Sequence, residues 1–216
     1  MNYRDFLQKV IYHVIDPLIK GMLKCHITPN VVTTLGFIGN MVAAALFVMA
    51  AYDAADDYPD ADFYANIVWG GAVILFSGLF DMMDGRLARV GNMTSKFGAL
   101  WDSTLDRYSE LISLFGICLI FINTDWFWMG VTTFAAMIGS VMVSYVRARA
   151  EGTGIECKVG LMQRPERVVV TAVTAILAGA LHNLWWLAGG MIVIAVLANI
   201  TAFWRVAYCY KVMNGK

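Results

Sequence analysis

The strongest constraint on this chain is a series of apolar stretches, each about 20 residues long. That is the length an α-helix needs to cross the ~30 Å hydrocarbon core of a bilayer. The stretches run over roughly 32–51, 63–83, 97–122, 126–146, 168–187 and 187–208. Inside lipid every backbone polar group must be satisfied within the protein, by a helix or a closed barrel, and a run of about 20 residues suits a helix where a barrel strand takes about 9–11. Composition agrees, with 59% hydrophobic and 15% charged residues, against about 25% charged in soluble domains. The expected class is an all-α polytopic membrane protein forming one domain over 1–216. Six transmembrane helices occupy 28–216, and 1–27 is a juxtamembrane segment. No length remains for a second large soluble domain, and a formal net charge of zero offers nothing to a nucleic acid.

The first 27 residues lack the continuous apolar core and small-residue cleavage site of a signal peptide. Tyr3, Phe6, Val10, Ile11, Val14, Ile15, Leu18, Ile19 and Met22 recur at helical spacing, while Arg4, Lys9, Lys20 and Lys24 fall largely elsewhere. The segment is expected to be an amphipathic helix lying in the membrane interface. Tight connections are expected at Thr124-Asp125 and near His182-Asn183, the latter dividing the last two spans. Lys and Arg are absent from 52–62, 123–125 and 181–184, the loops on one side of a six-span layout. The positive-inside rule then places both termini in the cytoplasm, at the cell membrane. The acidic outer loop DAADDYPDAD reads as a solvated negative loop and not as a metal site.

The interruption in this pattern is Asp81–Asp106, DMMDGRLARVGNMTSKFGALWDSTLD. Asp81 and Asp84 are three residues apart, Asp102 and Asp106 four, so each pair shares a helix face. Each pair borders long apolar sequence, where a carboxylate is costly without a partner. Hard divalent cations take oxygen ligands, and Mg²⁺ takes carboxylates together with substrate phosphate oxygens. Two such ions would clamp a phosphoryl group from both sides. Gly85, Ala88 and Gly98 are small and leave space for a ligand, and Arg89 offers a planar donor fork to a phosphate. Three readings account for the carboxylates: phosphoryl transfer, a cation pathway, and simple pairing with Arg86, Arg89 and Arg107. The small residues at DGxxA and GxxxD favour the first.

This pattern resembles the CDP-alcohol phosphotransferase signature, matched without a gap by Asp81, Asp84, Gly85, Ala88, Arg89, Gly98, Asp102 and Asp106. The resemblance implies a CDP-linked donor, usually CDP-diacylglycerol, and two divalent ions, Mg²⁺ or Mn²⁺, in each active site. It implies that Asp81, Asp84 and Asp102 are metal ligands. Asp106 would be the general base for the acceptor alcohol and a further metal contact. Thr33, Asp84, Gly85, Ala88, Arg89, Ser95 and Gly98 would line the donor site, with Thr28–Thr33 forming the entry to the first span. The implied assembly is a homodimer.

The acceptor must be read from other basic residues. Arg147, Arg149, Arg164 and Arg205 fall on the cytoplasmic side of the expected layout, and such a cluster suits a phosphorylated alcohol. Arg167 and Lys158 read as border charges. The stretches SYVRARAE (Ser144–Glu151) and RPER (Arg164–Arg167) resemble the bacterial phosphatidylinositol-phosphate synthase branch of the family, with Arg147 where that branch carries lysine. By that resemblance Ser144, Arg147, Arg149, Arg164 and Arg205 bind the phosphate of the acceptor. The expected reaction is phosphatidyl transfer from CDP-diacylglycerol to myo-inositol phosphate with release of CMP. The same chemistry on glycerol 3-phosphate, free inositol or serine is the alternative, and a small cation transporter is the alternative of another class. Cys25, Cys118, Cys157 and Cys209 form no metal-binding pattern. Trp126, Trp128, Trp185 and Trp186 read as an interfacial belt, and Gly70-Gly71 and Gly189-Gly190 as sites of close helix packing.

Overall fold

The computed structural model describes residues 15–56 and 61–215, and no β-strand occurs among them. Residues 15–24 are helical and are called α1 here. Then follow α2 (Pro29–Asp56), α3 (Ala61–Val90), α4 (Lys96–Asn123), α5 (Phe127–Glu151), α6 (Arg164–Ala180) and α7 (Trp185–Met213). The expected interfacial helix over 1–27 falls partly on residues 1–14, which lie outside the described residues. The same holds for the middle of the acidic loop.

Among the described residues four helices are long and apolar enough to cross a membrane: α2, α3, α5 and α7. α4 and α6, the other two expected spans, differ for physical reasons. In α4, Lys96, Asp102, Asp106, Arg107 and Glu110 crowd the first half. α6 has 17 residues, because the apolar run reaching to 187 is cut by the turn expected near His182-Asn183. That turn puts His182 at φ 47°, and the side-chain oxygen of Asn183 accepts the N–H of Trp185 at 3.0 Å. At the other tight connection Asp125 has φ 63°.

Local sequence explains the ends that matter for function. Pro29 opens α2, where a missing N–H costs nothing. α3 closes on Asn92 at φ 52°, and the N–H of Met93 reaches back to Ala88 O at 2.9 Å. This is a left-handed helix stop with asparagine in place of glycine. Ser95 then caps α4, its Oγ accepting the N–H of Gly98 at 2.9 Å. These signals turn the chain sharply between α3 and α4 and keep Asp84 and Asp102 near one another.

The helices gather into two compact units. The first holds the described residues up to Gly39 together with Phe76–Asp106. Its core is Ile15, Ile19, Val32, Met83 and Leu87, with Met22, Leu23, Ile27, Phe80 and Met93 packed against it. Ile15, Ile19 and Met22 thus face inward as their spacing predicts, whereas Leu18 is exposed. Asp16 accepts both Nε and Nη2 of Arg86, at 3.0 and 3.2 Å, tying α1 to α3. Gly36 lets α2 approach α3, since a Cβ there would lie 3.1 Å from Phe80 Cβ.

The second unit holds Asn40–Leu75 and the residues from Arg107 onward. Its core centres on Phe47, Phe63, Phe121, Leu187, Met191 and Ile194, and α7 packs against α5 and α6. Small residues set the spacing, as is usual where lipid removes the hydrophobic drive between helices. A Cβ on Gly71 would meet Ala172 O at 2.7 Å, and one on Gly190 would overlap Thr174, whereas Gly189 faces open space. Trp126 packs edge-on against Trp185 with centroids 4.7 Å apart, at the end of the molecule where Trp128 and Trp186 are exposed.

Candidate active site

The first unit contains a cavity of about 230 Å³, lined by Pro29, Asn30, Thr33, Asp84, Gly85, Ala88, Arg89, Met93, Thr94, Ser95, Gly98, Ala99 and Asp102. Every sequence-predicted donor residue therefore lines one space. Asp84 is buried at 5% exposure. Its Oδ2 accepts the Thr33 hydroxyl at 2.6 Å. The same hydroxyl lies 3.1 Å from Pro29 O, but it has one proton, and the shorter, charge-assisted bond takes it. Thr33 thus fixes the orientation of a buried carboxylate.

The small residues act as the sequence suggests, each differently. At Gly98 a Cβ would meet Ser95 Oγ at 3.0 Å and Asn30 Oδ1 at 3.1 Å, so glycine brings the start of α4 against the start of α2. At Gly85 a Cβ would stand 3.7 Å from Arg89 Nη1. The guanidinium lies over the bare backbone of Gly85, with its donors at the cavity wall.

Asp81 and Asp102 are close enough to Asp84 for their charges to bear on it. Like charges around a buried carboxylate are unfavourable unless a cation offsets them, so the donor set suits a hard divalent ion. Among the described residues no three His, Cys, Asp or Glu side chains stand as a ready-formed metal cluster. Asp106 is half-buried one turn beyond Asp102 and lies outside the residues lining the cavity.

The second unit carries the residues expected to bind the acceptor. Arg147 is half-buried, and its Nε donates to Glu151 at 2.8 Å, an i,i+4 pair on α5. Ser144 is half-buried one turn earlier, Arg149 is exposed, and Arg164 is half-buried as the first residue of α6. Arg205 is 2% exposed. Its Nε donates to Val159 O at 2.8 Å and its Nη1 to Val143 O at 2.6 Å. The charges of Arg147 and Arg167 bear on it, so the structure brings these three arginines into one neighbourhood.

Several residues escaped the sequence reading. Arg167 is no border charge. It is 1% exposed, and its Nε and Nη2 pair with Glu110, the first at 2.5 Å and the second at 2.9 Å. The signal was Glu110 itself, a carboxylate beside the apolar half of α4 that needs a cation. Met93, Thr94 and Ala99 line the cavity with no motif to mark them, whereas Pro29 and Asn30, which also line it, lie in the Thr28–Thr33 stretch. Lys158 pairs with Glu156 at the surface and holds its carboxyl below the usual range. Cys157 is buried against Cys209, and burial pushes its thiol up, away from reactive thiolate chemistry.

The family model for CDP-alcohol phosphatidyltransferase matches residues 26–204. The chain belongs to this family. A phosphatidylinositol phosphate synthase of Mycobacteroides abscessus is 31% identical over 200 residues, covering 89% of this chain and 81% of the relative. An archaetidylinositol phosphate synthase of Methanothermobacter thermautotrophicus is 38% identical over 146 residues, 68% of this chain and 72% of the relative. The crystal structure of Mycobacterium tuberculosis phosphatidylinositol phosphate synthase with CDP-DAG bound superposes with a TM-score of 0.78 at 29% identity, over 92% of this chain and 94% of that one. The mycobacterial enzyme has also been solved with manganese and citrate, at a TM-score of 0.76 over 90% of this chain and 88% of that one. Family membership decides between group transfer and an ion pathway in favour of transfer.

Proposed function

We propose that this protein transfers the phosphatidyl group of CDP-diacylglycerol to myo-inositol phosphate. An acceptor hydroxyl oxygen attacks the lipid-side phosphorus, the bond to the CMP-side bridging oxygen breaks, and CMP leaves. The observation that carries the reading is the single cavity shared by Thr33, Asp84, Gly85, Ala88, Arg89, Ser95, Gly98 and Asp102. Its small residues admit a diphosphate and Arg89 supplies a cation for it. Asp81, Asp84, Asp102 and Asp106 would hold divalent ions, Mg²⁺ or Mn²⁺, two to a site. When bound, these ions supply charge neutralisation at the transferred and leaving phosphates. Asp106, one turn from Asp102 on the same helix, accepts the proton of the attacking hydroxyl.

The acceptor assignment rests on Ser144, Arg147, Arg149, Arg164 and Arg205. Arg147 is held by an exposed i,i+4 pair worth about 0.3–0.5 kcal/mol, so an incoming phosphate displaces Glu151 at small cost. Arg205, held by two carbonyls, contributes charge from within. The names of the mycobacterial and archaeal relatives point to the same acceptor. In the membrane we place α4 and α6 as the further two spans, α1 as an interfacial helix, both termini and the site on the cytoplasmic face, and the chain as a homodimer. The distribution of Lys and Arg supports that orientation.

The test is CMP release by purified protein from CDP-diacylglycerol across an acceptor panel of inositol phosphate, free inositol, glycerol 3-phosphate and serine. Inositol phosphate is expected to give the highest kcat/KM. Chelation should abolish release, and Mg²⁺ or Mn²⁺ should restore it. Preference for free inositol would overturn the phosphate-pocket assignment. No release with any acceptor would overturn the reaction.

A further inference from the structure

The connection between α5 and α6 is held more firmly than a surface loop requires. Three of its residues are fastened through their main chain to buried polar side chains. Thr201 of α7 is 0% exposed, and its Oγ1 accepts the N–H of both Leu161 and Met162 at 3.2 Å. One turn further along α7, Arg205 takes Val159 O at 2.8 Å. Met162 O accepts Arg167 Nη1 at 3.4 Å, and Arg167 is locked to Glu110. Gly160, between the fastened residues, has φ 130°, and any Cβ there would overlap Thr201 Cγ2. Loops are ordinarily mobile, with their backbone groups satisfied by water. This one is moulded onto the Thr201 side chain.

The pinned segment ends at Met162, two residues before Arg164. Gln163 is extended and α6 begins at Arg164, so the placement of Leu161 and Met162 sets where the arginine starts. We infer that Thr201 is a positioning residue for the phosphorylated acceptor. It acts through the backbone of Leu161 and Met162 to hold Arg164 in register, and does not touch the substrate. This rests on the reading that Arg164 binds the acceptor phosphate.

Thr201→Ser and Thr201→Ala test it as a pair. Both lose the methyl group under Gly160, and they differ by the hydroxyl alone. T201A leaves the N–H groups of Leu161 and Met162 without their acceptor, and the register of Arg164 loosens. The expected result is a KM for inositol phosphate about tenfold higher in T201A than in T201S. The KM for CDP-diacylglycerol and kcat should agree within about twofold, because the donor cavity is built from other residues. Equal acceptor KM values in the two variants would overturn the inference. So would a parallel rise in donor KM, a matching fall in kcat, or failure of T201A to fold where T201S folds, since each marks a general structural role. If the unsubstituted protein shows no preference for a phosphorylated acceptor, the acceptor reading fails first, and the wild-type control shows this separately.

Discussion

The residues proposed to bind the donor and those proposed to bind the acceptor are built in opposite ways. The donor set comes from one short run of sequence plus the start of α2, and its members meet around one cavity with Asp84 already fixed by Thr33. The acceptor arginines come from α5, α6 and α7, and those with resolved partners are engaged internally. Arg147 holds Glu151, and Arg205 holds two carbonyls. The donor set therefore needs a cation and a nucleotide to complete it, whereas the acceptor set needs existing contacts exchanged. On the proposed roles, the chemistry is set by local geometry and acceptor choice is adjustable through partners.

The largest expected effect lies in the chemistry. Asp106→Asn keeps size and removes basicity, so kcat should fall by about 10²–10⁴-fold, the usual worth of a general base. Donor binding, measured by CDP-diacylglycerol protection against thermal unfolding, should persist. Loss of donor binding in step with kcat would recast Asp106 as chiefly a metal ligand. Thr33→Val removes the hydroxyl that orients Asp84. A group supporting a metal ligand is typically worth about 10–100-fold in metal affinity or activity. The concentration of Mg²⁺ for half-maximal CMP release should rise accordingly, and Thr33→Ser should restore it. An unchanged metal requirement would mean that Thr33 serves the helix alone.

How far the sequence discloses all this follows the same division. The aspartates, Gly85, Gly98 and Arg89 are legible because helical spacing is local: three or four residues apart means one face. Gly98 is legible as small, but not as the residue that brings α4 against Asn30, because that contact crosses about seventy positions and leaves no periodic trace. The helices are readable from apolar length, and the turn at His182-Asn183 from its polar residues, which end α6 before its apolar run does. Arg167 was read as a border charge because a sequence shows the charge and not its burial. Glu110 held the missing information, but pairing it with a residue 57 positions away requires the fold.

Arg164→Ala addresses the acceptor side at intermediate size. Losing a charge-assisted bond to a phosphate costs about 1.5–3 kcal/mol, so the KM for inositol phosphate should rise by about 10–100-fold with donor KM unchanged. The KM for free inositol should barely move, since the arginine has no phosphate to meet there. A similar loss with both acceptors would show that Arg164 shapes the pocket generally, and the contrast between fixed chemistry and adjustable acceptor would weaken.

The smallest effect is the most direct probe of exchange. Glu151 holds Arg147 through an exposed i,i+4 contact, the two side chains being 49% and 42% accessible. Such pairs are worth little because water screens them and two long side chains lose freedom. On the proposed assignment an acceptor phosphate displaces the carboxylate before Arg147 serves it. Glu151→Gln removes the competing charge and keeps the helix, so Arg147 is released in advance. The KM for inositol phosphate should fall by about twofold, the whole value of the pair, with kcat unchanged. The sign matters more than the size. A rise in KM would mean that Glu151 holds the guanidinium in its working position, and the acceptor set would then be as firmly built as the donor set.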